Sequence, residues 1–163
     1  MTIRILITGG TIDKEYDKLS GKLEFTKSSI PQLLQQARCD VPITLEIVML
    51  KDSLEMVDVD RMEITKRCID SSEEEIIITH GTDTMVETGK ILAQRVKDKI
   101  VVLVGAMVPY AFGGSDALFN LASAITAVQL LPYGIYVTMN GKTFRWNNVR
   151  KNKKIGRFEE LSS

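Results

Sequence analysis

The sequence of 163 residues has few of the side chains that bind metals or form disulfide bonds. Its two cysteines, Cys39 and Cys68, lie outside any CxxC pattern, and His80 is its single histidine. Protein metal sites usually combine several such ligands at close spacing, so no metal site is predicted. We expect both cysteines to be reduced thiols in the core of a cytoplasmic protein.

Net charge and long apolar runs are also lacking. The 21 basic residues balance the 21 acidic ones, so no net field steers the protein toward nucleic acid or an anionic membrane. No run approaches the ~18 apolar residues of a membrane helix. The chain passes from Met1 into an apolar run at Ile3 without a signal-peptide leader. We expect the partner to be a small molecule, and neither nucleic acid nor a membrane.

Apolar runs with many β-branched residues alternate along the chain with helix-length segments of mixed polarity. The runs are Ile3 to Thr8, Thr44 to Leu50, Glu75 to Thr79, Ile100 to Gly105 and Ile135 to Met139. This alternation predicts an α/β fold, a doubly wound and mostly parallel sheet with helices on both faces. The length fits a single domain over residues 1–163, with no second domain.

Four helices are expected between these strands. Ser29 can cap the first and Asp58 or Asp60 the second, because a short polar side chain can accept a hydrogen bond from the free N–H groups of a first turn. The third covers Thr84 to Val96. The fourth, Ser115 to Leu131, is predicted to be the longest and most apolar, and therefore central.

The connection from Ile12 to Lys27 is long and polar, and shows neither helical nor strand periodicity. Structureless connections of this length in a compact domain are usually lids or binding loops. We call residues 12–27 the lid segment. Near the other end of the chain, Asn140-Gly141 predicts a hairpin, and a basic stretch follows at 150–157.

Two threonine-containing turns follow predicted strands. Thr8-Gly9-Gly10-Thr11-Ile12 follows the first strand, and Thr79-His80-Gly81-Thr82-Asp83-Thr84 follows the third. Open α/β sheets bind ligands at the carboxyl ends of their strands, so both turns can face one crevice. Two hydroxyl-bearing turns, one of them with a carboxylate, favour nucleophilic attack on an acyl group over phosphate binding.

The polar residues of these turns, and Ser53 elsewhere in the chain, also have structural interpretations. Thr11 could cap the turn after the first strand. Thr82 and Asp83 could cap the third helix while also serving a site. Ser53 could simply begin a turn, and we interpret His80 as a structural residue of the second threonine turn.

With these motifs in place, the chain resembles the bacterial-type L-asparaginases, a family of threonine amidohydrolases. The resemblance rests on the two threonine turns and on Glu87-Thr88, which follows the second. It extends to Asp52-Ser53-Leu54-Glu55-Met56, Gly105-Ala106-Met107-Val108-Pro109 and Ser115-Asp116-Ala117-Leu118-Phe119-Asn120-Leu121. It covers nearly all of this chain but only the first half of a usual member, so the resemblance implies a short form that lacks the C-terminal domain.

The resemblance implies hydrolysis of the side-chain amide of asparagine, with glutamine as an alternative, without metal or organic cofactor. Its catalytic residues would be Thr11 as nucleophile, Tyr16 as lid tyrosine, and Thr82, Asp83 and Lys151 as a threonine, carboxylate and lysine group. Its substrate-binding residues would be Ser53, Gly10, Gly81, Asp83 and Ala106. A homo-oligomer is expected, because a missing second domain leaves the crevice open on one side.

Several positions depart from the family pattern. Tyr16 follows Thr11 more closely than in the long enzymes, Val108 replaces a common arginine, and Ala117 replaces a glycine. Tyr16 could be a plain exposed loop residue, and Lys151 could belong to a solvated basic tail. The rival hypothesis to an enzyme is a non-catalytic module that binds an amino acid, or one part of a larger amidase.

Overall fold

The computed structural model describes residues 1–161, so Ser162 and Ser163 of the predicted domain lie outside the described residues. The strands are β1 (Ile3–Gly9), β2 (Glu15–Asp17), β3 (Lys22–Glu24), β4 (Ile43–Lys51), β5 (Glu75–Thr79), β6 (Ile100–Val104), β7 (Gly134–Met139), β8 (Lys142–Arg145), β9 (Arg150–Asn152) and β10 (Arg157–Glu159). The helices are α1 (Ile30–Gln36), α2 (Asp58–Asp70), α3 (Met85–Arg95) and α4 (Ala117–Val128).

Six strands form the central sheet in the order β4-β1-β5-β6-β7-β8. All neighbours are parallel except β7 and β8, which form an antiparallel hairpin. Asn140 and Gly141 make its turn with φ of 57° and 76°, the positive values that a tight hairpin turn requires. The predicted fold and this hairpin are both confirmed. Because the chain passes from β1 to β4 on one side and then returns to β5 on the other, the carboxyl ends of β1 and β5 flank a switch point.

The helices cover both faces of the sheet. Buried residues of α1 and α4 pack on one face, against Ile5 of β1 and Val102 of β6. Those of α2 and α3 pack on the other face, against Leu6 and Leu103 of the same two strands. Burial on both faces explains why the strands read as continuous apolar runs. As predicted, α4 is central, since it contacts β5, β6, β7 and β8.

Several predicted helix starts are wrong in detail. Asp60 lies in the first turn of α2, where its carboxylate accepts the N–H of Val57 at 3.0 Å. Helix α4 has 12 residues, one fewer than α2, so it is not the longest. It starts late because Asp116 accepts hydrogen bonds from the N–H groups of Met107 and Val108. That carboxylate therefore fixes the loop before the helix.

The expectation of a structureless lid segment is also wrong. The 3-10 turn Thr11–Asp13 overlaps its start, and the antiparallel hairpin of β2 and β3 follows. Gly21, with φ of 70°, lies in the hairpin turn. All three residues of β3 are exposed. Since neither face of β3 enters the core, the sequence of the hairpin carries no apolar alternation that could have revealed it.

Candidate active site

Three turns meet at the carboxyl ends of β1, β4 and β5, with no room between them for side chains. Gly10 has φ of 81°, and a Cβ atom there would lie 2.4 Å from the backbone nitrogen of Gly81. A Cβ atom on Gly81 would lie 2.6 Å from Oγ of Ser53. The two glycines thus allow both threonine turns and the serine turn, Ser53–Glu55, to approach within van der Waals contact.

Thr11 is the first residue of the 3-10 turn and is half-buried. Its carbonyl oxygen accepts the N–H of Lys14 at 3.1 Å, whereas its hydroxyl makes no hydrogen bond within residues 1–161. Thr8 differs, because its buried hydroxyl donates to the carbonyl oxygen of Thr79 at 2.6 Å. The hydroxyl of Thr11 is therefore available for chemistry, and that of Thr8 serves the structure.

Thr82, Asp83 and Lys151 form one hydrogen-bonded group. The Nζ atom of Lys151 donates to Oγ1 of Thr82 at 2.7 Å and to Oδ1 of Asp83 at 2.8 Å. Oγ1 of Thr82 also lies 3.7 Å from the sulfur of Met107. Within this group a proton can pass between the threonine hydroxyl and the lysine amine, while the carboxylate orients the amine.

Strand β9 carries Lys151 into this group. Lys151 pairs with Phe158 of β10, whose side chain is buried. The lysine side chain is only 13% exposed. The neighbouring basic side chains lie elsewhere, since Arg150 donates to Glu159 and Lys153 is exposed to solvent. Lys151 is thus the cation of the basic stretch that reaches the second threonine turn, and the solvated-tail interpretation is wrong for it.

Neither Thr82 nor Asp83 caps helix α3. The helix begins at Met85, and Thr84 is its N-cap residue without a side-chain capping bond. The carboxylate of Asp83 bonds to Lys151 of β9. The capping alternative is therefore wrong, because the tertiary ion pair uses the carboxylate instead.

Ser53 presents a buried hydroxyl with no partner. The residue is 1% exposed, and its Oγ has no hydrogen-bond partner among the described residues. Asp52 fixes the turn by accepting the N–H of Leu54 at 3.0 Å, and Thr84 donates to the carbonyl oxygen of Ser53 at 2.9 Å. Since a buried hydroxyl without a partner is unfavourable, this one is suited to bind a ligand's polar group.

The loop after β6 supplies backbone to the same region. A Cβ atom on Gly105 would lie 2.4 Å from the carbonyl oxygen of His80, so β6 ends directly against the second threonine turn. Ala106, the next residue, is buried. Asp116 holds the following residue by accepting the N–H of Met107 at 2.9 Å. The backbone around Ala106 is thus fixed beside Thr82.

Tyr16 stands apart from the other predicted residues. It lies on β2 opposite Leu23, and the residue is 60% exposed. The structure therefore brings the threonine, serine, aspartate and lysine residues together but leaves the tyrosine on an open hairpin.

A buried network behind the second threonine turn was not recognised in the sequence. His80 donates from Nδ1 to the carbonyl oxygen of Gly81 at 2.7 Å and accepts at Nε2 from the hydroxyl of Thr88 at 2.7 Å. Nε of Arg61 donates to the same hydroxyl at 3.1 Å. Burial, aided by the charge of Arg61, lowers the pKa of His80 to about 4, so the imidazole is neutral near pH 7.

Arg61 extends this network to the serine turn. Its guanidinium donates to Oγ1 of Thr84 at 2.9 Å and to the carbonyl oxygen of Met56 at 3.2 Å. Thr84 in turn bonds to the carbonyl oxygen of Ser53. Arg61 and Thr88 lie 27 residues apart, and no local pattern in the sequence indicates their contact.

Residues 1–161 contain neither a metal-binding cluster nor a membrane-spanning helix. No group of three or more His, Cys, Asp or Glu side chains is placed to hold a metal ion there. In the same residues, every helix is too short or too polar to cross a membrane. Cys39 and Cys68 are free thiols, and burial raises the pKa of Cys68 to about 12.

Comparison with known proteins agrees with this geometry. The family described as Asparaginase, N-terminal, matches residues 2–159. The chain belongs to the asparaginase family. Its fold is also that of a solved asparaginase. It superimposes on the thermostable L-asparaginase from Thermococcus kodakarensis with a TM-score of 0.88 and 29% sequence identity, over 100% of this chain and 52% of that chain.

The sequence relatives of this chain include an L-asparaginase and an amidotransferase subunit. The L-asparaginase of Thermococcus kodakarensis is 31% identical over 161 residues, which are 96% of this chain and 49% of that protein. A glutamyl-tRNA(Gln) amidotransferase subunit from Methanococcus maripaludis strain C7 is 34% identical over 148 residues, which are 86% of this chain and 35% of that protein. The chain thus spans half or less of the length of these relatives.

Proposed function

We propose that this chain is an amidohydrolase that cleaves the side-chain amide of L-asparagine, with L-glutamine as a second substrate. The observation that carries the proposal is the hydrogen-bonded group of Thr82, Asp83 and Lys151, on a turn that packs against the turn of Thr11. A nucleophile, a proton carrier and a carboxylate are the parts that acyl transfer requires. No cofactor enters this chemistry.

In the proposed reaction the hydroxyl oxygen of Thr11 attacks the side-chain carbonyl carbon. The hydroxyl proton leaves through the lid tyrosine, Tyr16, once the hairpin closes, or through Thr82 and Lys151. The C–N bond then breaks, the departing nitrogen takes up a proton, and ammonia leaves an acyl-threonine. Water hydrolyses this ester, releases aspartate and returns the proton to Thr11. The backbone N–H of Gly81 can approach the oxyanion closely, and one well-aimed donor is worth ~3 kcal/mol. The N–H of Gly10 instead donates to the carbonyl oxygen of Lys51 at 2.9 Å.

The substrate's α-groups are assigned to the other side of the crevice. Ser53 would bind the α-carboxylate, supported by its buried hydroxyl without a partner. Asp83 would bind the α-amino group, and the backbone of Ala106 the side-chain amide. Val108 is exposed and cannot supply the charge of the arginine that is common at its position, so orientation would rest on these three residues.

A second candidate function is that of one part of a larger amidase. It is supported by the amidotransferase relatives, to which this chain is as similar as it is to an L-asparaginase. For the first function we propose a homo-oligomer. Free thiols at Cys39 and Cys68 agree with a cytoplasmic location.

Ammonia release from asparagine and from glutamine, measured with the wild type and with Thr11→Ala, tests the proposal. We expect release by the wild type and loss of most of it in the variant. Activity that survives the substitution would remove Thr11 as nucleophile. If the wild type releases no ammonia but binds asparagine in calorimetry with one site per chain, the binding-module alternative is correct.

A further inference from the structure

Asp13 is a buried carboxylate to which the proposed reaction gives no role. It is 0% exposed and is the last residue of the 3-10 turn that starts at Thr11. Its Oδ1 atom accepts the hydroxyl of Ser28 at 3.1 Å and the N–H of Ser29 at 2.7 Å. Its Oδ2 atom is buried without a partner among the described residues. A carboxylate is retained at such a position only if its bonds are needed, because burying it is unfavourable.

These two bonds close the base of the lid segment. The chain leaves the protein body at Asp13 and returns to it at Ser28, and all residues between belong to the lid. Ile12 precedes Asp13 in the chain, and Ile30 follows Ser28. Both isoleucines are 0% exposed and lie in the same core cluster. The hydroxyl of Ser28 also accepts the N–H of Ile30 at the start of α1. The carboxylate thus ties both ends of the lid to the core.

The same residue also shapes the nucleophile's turn. The N–H of Asp13 donates to the carbonyl oxygen of Gly10 at 3.1 Å and so closes the turn that contains Thr11. The next residue, Lys14, forms an ion pair of 2.5 Å with Asp52, which caps the serine turn. A shift of the backbone at Asp13 would therefore move the turn of Thr11.

We propose that Asp13 is a positioning residue, which clasps the two ends of the lid segment and thereby holds Thr11 in place. The part about Thr11 rests on the proposed function, whereas the clasp itself does not. The hydrogen bonds of a charged acceptor are among the stronger ones in proteins. Without them the lid would open locally while the central sheet remained folded.

Limited trypsin digestion measures the clasp without any need for activity. The lid carries exposed cleavage sites at Lys18 and Lys22, and Lys90 in α3 is an exposed reference site outside it. We expect Asp13→Ala to raise the cleavage rate at the lid sites by about tenfold or more, as loss of ~1.4 kcal/mol or more in local stability would. Ser28→Ala, which removes one of the two bonds, should raise it less.

Asp70→Ala, the loss of an exposed aspartate, is the charge control and should leave lid cleavage unchanged. If cleavage at Lys90 rises in Asp13→Ala by the same factor as in the lid, or if lid cleavage does not rise, the clasp is refuted. With asparagine as substrate, Asp13→Ala should lower kcat by a larger factor than it raises KM. Equal activity of the wild type and Asp13→Ala would refute the effect on Thr11. An inactive wild type would count against the proposed function alone and leave the test of the clasp unaffected.

Discussion

The Nζ atom of Lys151 lies 2.7 Å from Oγ1 of Thr82, although 69 residues separate them in the chain. Strand β9 delivers the lysine to the turn after β5, and the lysine remains 13% exposed. An amine in such a position can accept a proton from the threonine and return it. This contact joins the last part of the described chain to the proposed chemistry.

Lys151→Met keeps the length of the side chain and removes its proton-carrying amine. We expect kcat for asparagine to fall by ~10²–10⁴, the usual effect of losing a general acid or base, with a smaller change in KM. Steady-state ammonia assays measure both constants. Lys153→Met, at an exposed position two residues on, is the matched control. Comparable activity in the two variants would show that Lys151 is not in the proton path.

Tyr16→Phe removes only the hydroxyl of the exposed lid tyrosine. Since the side chain is on an open hairpin, the hydroxyl can contribute only after the lid closes over substrate. We expect turnover to decrease more than substrate binding weakens. Calorimetry measures the binding of asparagine, and steady-state kinetics measures its turnover. Unchanged turnover would leave Thr82 and Lys151 as the only proton route in the mechanism.

Gly10 and Gly113 offer a test of close packing between the threonine turns. Both have extended backbone with positive φ, with φ and ψ of 81° and −178° for Gly10 and 74° and 161° for Gly113. A Cβ atom on Gly10 would lie 2.4 Å from the nitrogen of Gly81, whereas one on Gly113 would meet nothing within 4 Å.

Alanine at either glycine should impose a similar backbone strain of ~1–3 kcal/mol. Only Gly10→Ala should also force the two threonine turns apart and abolish activity. Urea unfolding and ammonia release measure both effects. If Gly113→Ala destabilises the protein as much as Gly10→Ala does, the contact between the turns is not the reason for glycine at position 10.

Asp13 and His80 predict opposite dependences of stability on pH. Burial raises the pKa of Asp13 from 3.8 to about 6. The folded state therefore holds its proton more tightly than the unfolded chain does, and this contribution to the unfolding free energy falls as pH rises from about 4 to about 6. Burial lowers the pKa of His80 from 6.5 to about 4, so its contribution rises over a similar window and is lost on acidification.

Asp13→Asn removes the first dependence and leaves the second. Relative to the wild type, the variant should gain about 2 kcal/mol of unfolding free energy between about pH 4.5 and about pH 7. Urea unfolding at the two pH values gives this difference, and any loss from the amide itself cancels because it does not depend on pH. A difference that is the same at both pH values would mean that the pKa of Asp13 is not raised in the folded protein.

Sequence patterns predicted the sheet well because its strands are buried on both faces and β-branched. They failed for β2 and β3, which are three residues long and contain no buried residue. Thr11 and Thr82 could be proposed as site residues because their turns follow recognisable strands. Asp13 and Arg61 were missed, since their partners, Ser29 and Thr88, lie 16 and 27 residues away and only the folded chain brings them together.

The proposed reaction requires that Thr11 becomes acylated. Trypsin cleavage after Arg4 and Lys14 yields a peptide, 5–14, that contains Thr11 and the buried Thr8, while Thr82 falls in peptide 68–90. The most direct measurement is mass spectrometry of these peptides after acid quenching of the enzyme during turnover of asparagine. An aspartyl group on Thr11 in peptide 5–14, absent in Thr11→Ala, is the predicted result. An aspartyl group on Thr82 in peptide 68–90 would instead identify Thr82 as the nucleophile and refute the role of Thr11.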